Sequence, residues 1–352
     1  MPAAAAAQIL GRAAEAQGTD VRVTDRIASV QDLLADDLRW IESALAGAVD
    51  QGEAPATLAA RHLVTRGGKR VRPMALMLSA ACFGQVTPAV RELAVVSELV
   101  HSATLLHDDV VDEGMERRGV PTSRLAWGNA ISVLGGDLLL VHALQRTQQH
   151  APEIMPDLIA TLRRLVDGEI VQLRGRSELD VSEATYERIL RDKTASLFAW
   201  STRTGARLAG ASLEDQERLA GFGERLGIAF QLVDDVLDYS GSNTGKTLLT
   251  DLREGKLTLP LVLAVARMPE LVQPLRRIYA GDGESVTLVS RAVVESGACD
   301  EVRRRASDHT RSAVLGSRAK DEQSCGSFAP CRIIFGSGGR GEAFAARAKS
   351  AA

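Results

Sequence analysis

Leu105-Leu106-His107-Asp108-Asp109-Val110-Val111-Asp112 ends a long apolar run with three carboxylates in five positions. Asp108 and Asp112 are four apart, so a helix stacks them on one face. Like charges at that spacing repel, and the negative end of the helix dipole makes them worse near a C-terminus. A cation between them removes the penalty. The spacing recurs in Gln231-Leu232-Val233-Asp234-Asp235-Val236-Leu237-Asp238, again at the end of an apolar helix. One such run fits a solvated acidic face; two copies, both closing buried-looking helices, point to metal. Carboxylate oxygens are hard ligands that suit Mg²⁺ or Mn²⁺ and not zinc. Mg²⁺ is commonly held by one or two carboxylates, with phosphate oxygens and water completing its shell. Two facing aspartate clusters therefore suggest several divalent ions gripping a diphosphate between two helices.

The surrounding sequence is helical. Aromatic residues are 4% of the 352, while Ala, Leu, Arg and Glu abound, and convincing strand pairs are lacking. Thr87-Pro88 opens one apolar-periodic helix (Leu93, Val96, Leu99, Val100, Ala103, Leu106), with Pro at the first helical position. Pro73 is expected to open Met74–Cys82. Ser182 precedes a helix over Glu183–Leu208, and Ser212 one over Leu213–Tyr239, with Glu214 and Asp215 in its first turn. Roughly ten helices result, a large single-domain all-α bundle. Charged residues are 25%, apolar residues 45% and the net charge −3, which argues against disorder, a membrane span and a nucleic-acid footprint. Four cysteines without framework spacing predict a reduced, cytoplasmic protein.

Phosphates also need bases. Gly67-Gly68-Lys69-Arg70-Val71-Arg72-Pro73 puts three cations beside a Gly pair just before a helix N-terminus, where free backbone N–H groups favour anions. Arg117-Arg118 follow the first aspartate motif. Lys193-Thr194, Lys246 and Lys256 lie near helix ends or in the polar stretch Ser240–Lys256, which is expected to be a functional loop. His101 is seven residues before Asp108, on the same helical stripe. A P-loop lysine signature is missing from the sequence.

GGKRVRP, HDDVVDEGMERRG, FQLVDDVLDY and GKTLLTDLREGKLTLPL, in that order, resemble the trans-prenyltransferase (polyprenyl diphosphate synthase) family over roughly residues 25–315. The resemblance implies an isoprenoid-synthase bundle, a homodimer, that condenses isopentenyl diphosphate with an allylic prenyl diphosphate. It implies Mg²⁺, with Mn²⁺ as a substitute, at about three ions per site. Asp108, Asp112, Asp234 and Asp238 match its metal ligands, and Asp109 and Asp235 its supporting carboxylates. Lys69, Arg72, His101 and Arg118 match the isopentenyl diphosphate contacts. Arg117, Lys193, Thr194, Gln231 and Lys246 match the allylic diphosphate contacts, with Lys256 beside them. The catalytic set is Asp108, Asp109, Asp112, Asp234, Asp235 and Lys193.

Ala103 and Thr104 stand one turn before Asp108, where short-chain members tend to carry a bulky aromatic. Two small residues leave the tunnel floor open and predict a product of about C30–C50, octaprenyl-like at its centre. Phe198, Trp200 or Leu139 could close it deeper down. Three segments are expected: a flexible 1–24, the catalytic domain 25–315, and a Gly/Ser/Arg-rich tail 316–352 that is disordered or arises from a frame change and replaces the family's final helix. The competing readings are a short-chain farnesyl or geranylgeranyl synthase, a terpene cyclase, and a non-catalytic subunit retaining the fold.

Overall fold

The structure, a computed structural model, describes residues 30, 32–50, 52, 54–239 and 249–317. The predicted 1–24 segment, the Ser240–Gly245 linker with Lys246, and the tail beyond 317 lie outside the described residues. Fifteen α-helices are described: α1 (Ala35–Ala48), α2 (Pro55–Val64), α3 (Val71–Ala81), α4 (Pro88–Val111), α5 (Ser123–Trp127), α6 (Asn129–His150), α7 (Met155–Glu178), α8 (Glu183–Ile189), α9 (Ser196–Leu208), α10 (Leu213–Leu237), α11 (Thr250–Arg253), α12 (Leu259–Arg267), α13 (Val272–Tyr279), α14 (Glu284–Glu295) and α15 (Ala298–Ser317). The all-α expectation therefore holds, although there are more helices than the sequence suggested.

α4 is the hub. Its start follows local chemistry: the Thr87 side chain accepts from the Val90 N–H at 3.3 Å and Pro88 occupies the first turn. Its apolar residues are buried on nearly every side, from Val90 to Leu106. α6 and α3 pack directly against it, α9 against α3, α10 against α9, and α15 against α10. Close approach depends on glycine at two crossings. A Cβ on Gly136 of α6 would meet the His107 ring at 2.3 Å, and one on Gly205 of α9 would meet the Leu76 carbonyl oxygen at 2.0 Å. One apolar core surrounds α4, reaching α1–α3, α6, α7 and α9. A second joins α8, α10 and α12–α15.

Four details differ from the sequence reading. α3 begins at Val71, two residues before Pro73, because Arg70 takes a left-handed φ of 50° at the N-cap. Pro73 falls in the first turn, where its missing N–H has no helical partner to lose. Glu183–Leu208 is one helical path widened into a π-helical segment over Leu190–Ala195. The polar stretch after the second motif contains a short helix, α11. A two-residue antiparallel ladder, β1 (Glu116–Arg117) with β2 (Val120–Pro121), follows the first motif; at two residues per strand it is invisible to alternation.

Candidate active site

Both aspartate motifs end helices. Asp112 is the C-cap of α4 and Asp238 the C-cap of α10, so each motif straddles the negative end of a helix dipole. In this structure lysines occupy the space between the carboxylates. Lys193 Nζ lies 3.4 Å from Asp108 Oδ2 and is ion-paired with Glu169 on α7. These carboxylates outweigh the burial of the ammonium and raise its pKa. Lys256 Nζ lies 2.9 Å from Asp112 Oδ2, 2.7 Å from Glu254 Oε2 and 3.8 Å from Asp251 Oδ1. The first motif is thereby tied to the chain that follows the second.

The middle aspartates are turned into the protein. Asp109 is buried and accepts from Arg117 Nε at 2.7 Å. Asp235 is buried and accepts from Tyr186 Oη at 2.7 Å, Gln231 Nε2 at 2.9 Å and the Leu259 N–H at 3.1 Å. Burial pushes its pKa up to about 7. Gln231 also accepts from the Thr194 hydroxyl at 3.3 Å, which links the second motif to the Lys193 segment. Asp238 accepts the N–H of Thr250 at 3.1 Å and of Asp251 at 3.2 Å; it caps α11 and so orients the arm carrying Lys256.

A separate basic cluster gathers around the α3 N-terminus. Arg118 donates to the Gly67 carbonyl, which brings the second basic pair beside the first. Arg72 is buried 4.6 Å over the Phe198 ring, its Nε has no hydrogen-bond partner, and burial lowers its pKa to about 10. Lys69 Nζ stands 5.8 Å above the Phe230 ring. Burial, then the guanidinium groups of Arg72, Arg118, Arg117 and Arg70, hold the His101 imidazole well below its ordinary range. Cations forced together with an orphaned buried N–H form a site that gains from an anion.

The structure thus brings Lys69, Arg72, His101 and Arg118 together, and Asp108, Asp112, Lys193 and Lys256 together. Lys246 lies outside the described residues. Arg70, the third base of the GGKR run, belongs elsewhere: it is buried on Glu98 at 2.5 Å and on Glu42 at 2.6 and 3.0 Å. Ala103 is buried in the core that also holds Leu139 and Trp200, and the Thr104 hydroxyl donates to the His101 carbonyl at 2.8 Å. Phe198 departs from expectation, since it lies beneath Arg72 and beside Phe230, in the basic site. Glu169, Tyr186, Asp251 and Glu254 were missed. Glu169 was concealed because its helix turns Ile159, Val166, Ile170 and Leu173 outward, so the apolar stripe marks the wrong face as buried.

The donor set fits Mg²⁺. Its side chains are carboxylates, and buried Asp112 Oδ2 accepts no hydrogen bond and faces the Lys256 ammonium. His107, the adjacent imidazole, is turned toward the Val133 carbonyl at 3.2 Å and Asp137 at 3.3 Å. Among the described residues no three His, Cys, Asp or Glu side chains converge into a cage able to hold an ion unaided.

Similarity to known proteins agrees with this geometry. The family model for Polyprenyl synthetase matches residues 55–296. The chain is 35% identical over 291 residues to the octaprenyl diphosphate synthase of Escherichia coli K12, covering 81% of this chain and 90% of that one. It is 38% identical over 245 residues to heptaprenyl diphosphate synthase component 2 of Geobacillus stearothermophilus, covering 68% and 76%. Its fold matches a Caulobacter crescentus CB15 polyprenyl synthase, crystallised with calcium and isoprenyl diphosphate, at TM-score 0.77 and 33% identity, covering 88% of this chain and 97% of that one. Fold and site together define an all-α trans-prenyltransferase of the isoprenoid-synthase type. The chain belongs to the polyprenyl synthetase family.

Proposed function

We propose that the protein elongates an allylic prenyl diphosphate with isopentenyl diphosphate, dependent on Mg²⁺, to a medium-to-long all-trans polyprenyl diphosphate, octaprenyl-like. The observation that carries this is the pairing of two sites: a carboxylate site bridged by Lys193 and Lys256, and a base-only site around Arg72 and His101. One binds a diphosphate through metal, the other through side-chain cations alone.

Asp108, Asp112 and Asp234 would hold the metal, with Asp238 both a ligand and the cap of α11; phosphate oxygens and water fill the remaining positions. When bound, Mg²⁺ supplies Lewis-acid stabilisation of the charge that develops on the departing diphosphate. Lys193, still shared with Glu169, and Lys256 would face that diphosphate, with Thr194, Gln231 and Arg117 beside them. Lys69, Arg72, His101 and Arg118 hold isopentenyl diphosphate with its double bond facing the allylic carbon. The allylic C–O bond breaks, the double bond supplies the electrons of the new C–C bond, and a proton is lost to the released pyrophosphate. The apolar core that includes Ala103 would exclude water from the cation, and the small size of Ala103 and Thr104 would let the chain grow past them.

The catalytic unit spans about residues 25–315 in this reading and works as a homodimer in the cytoplasm. Leu125, Val133, Leu134, Val141, Ile159, Val166, Ile170 and Leu173 are exposed on α5, α6 and α7. We read these exposed apolar side chains as the face that a second copy covers. Among the described residues no helix is long and apolar enough to cross a membrane. The test is incorporation of labelled isopentenyl diphosphate with and without Mg²⁺. Asp108→Ala is expected to lower turnover by roughly a thousandfold; a rate within tenfold of the parent would overturn the reading.

A further inference from the structure

Glu169 lies beside Gly168, where α7 meets the π-helical segment. A Cβ on Gly168 would come within 2.7 Å of the Lys193 backbone nitrogen, so the glycine lets Glu169 and Lys193 share one small space. Glu169 Oε1 accepts from Gln172 Nε2 at 3.3 Å, and Oε2 faces Lys193 with no other partner. The same ammonium stands 3.4 Å from Asp108 Oδ2, beyond good hydrogen-bond length.

We infer that Glu169 is a positioning residue that draws Lys193 off Asp108. This rests on the reading of Asp108 as a metal ligand. A lysine with Asp108 as its sole carboxylate partner would collapse onto it and compete with the divalent ion. Shared with Glu169, the ammonium stays within reach of the diphosphate while the aspartate oxygen remains open to metal. Glu169 touches neither substrate nor metal in this arrangement; it acts through Lys193.

The test is Mn²⁺ binding followed by electron paramagnetic resonance with inorganic diphosphate present and no turnover. It compares the parent, Glu169→Gln, Lys193→Gln and the double variant, with melting curves to verify folding. Glu169→Gln is expected to weaken Mn²⁺ binding about three- to tenfold when Lys193 is present, and less than about twofold in the Lys193→Gln background. In a separate turnover assay of Glu169→Gln the KM for isopentenyl diphosphate should not move, because its contacts are elsewhere. Should Glu169→Gln fail to fold, Glu169→Asp, which withdraws the charge by one methylene, is expected to shift binding in the same direction. An equal shift in both backgrounds, or none in either, overturns the inference and leaves the metal site standing. Failure of the parent to bind Mn²⁺ with diphosphate overturns both.

Discussion

Lys256 Nζ lies 2.9 Å from Asp112 Oδ2, joining the last aspartate of the first motif to the chain just past the second. That chain is anchored from the other side by Asp238, which caps α11. The two aspartate motifs are therefore coupled through one lysine and one helix cap before any ligand arrives.

Removing that lysine leaves Asp112, Asp251 and Glu254 without the one ammonium they share. Lys256→Gln is expected to melt lower than the parent in chelator, and Mg²⁺ should raise its melting temperature more than the parent's. Equal Mg²⁺ responses in the two proteins would show that Lys256 does not stand in for metal.

Arg70 is held between Glu98 and Glu42, with its guanidinium and the Glu98 carboxylate almost wholly buried. Glu98→Ala is expected to cost about 3 kcal/mol, because Arg70 keeps only Glu42 and buried Arg72 loses the carboxylate that offsets its burial. Arg70→Met with Glu98→Leu should recover much of that loss in urea denaturation. A single variant as stable as the parent would contradict the burial of the pair.

At Gly205 a Cβ would meet the Leu76 carbonyl oxygen at 2.0 Å, backbone against backbone between α9 and α3. Gly205→Ala is expected to destabilise by about 2–3 kcal/mol or more, since neither helix can yield locally. An unchanged denaturation midpoint would refute the close crossing.

Much of this was legible in advance. Thr87, Ser182 and Ser212 all cap the helices they announced, each accepting from the backbone N–H three residues on, because capping is a local bond that spacing reveals. The aspartate motifs were legible for the same reason: four-residue spacing fixes a shared helix face. Glu169, Tyr186 and Asp251 were not, since they reach the site from separate helices and no local pattern marks the convergence. Arg70 and Phe198 were hidden differently. Arg70 sits among site bases in sequence but points to Glu42 and Glu98, and Phe198 supports Arg72 across helices, so only tertiary packing assigns them.

His101 gives a pH dependence. Burial and the surrounding arginines depress its folded pKa, whereas an unfolded histidine titrates near about 6.5. Below that value the unfolded chain binds a proton that the folded chain refuses. Stability from this group is thus present above about pH 6.5 and lost as pH falls. Between about pH 7.5 and 5.5 the parent should lose about 1 kcal/mol more than His101→Gln. Parallel urea curves for the two proteins would mean that His101 charges freely when folded.

Product sizing tests the proposed chemistry most directly. The purified chain is incubated with Mg²⁺, labelled isopentenyl diphosphate and farnesyl diphosphate, and the dephosphorylated products are separated by length. A Mg²⁺-dependent ladder ending near octaprenyl is the result expected if Ala103 and Thr104 form the open floor proposed above. Absence of incorporation from a folded protein supplied with both diphosphates and metal would contradict it.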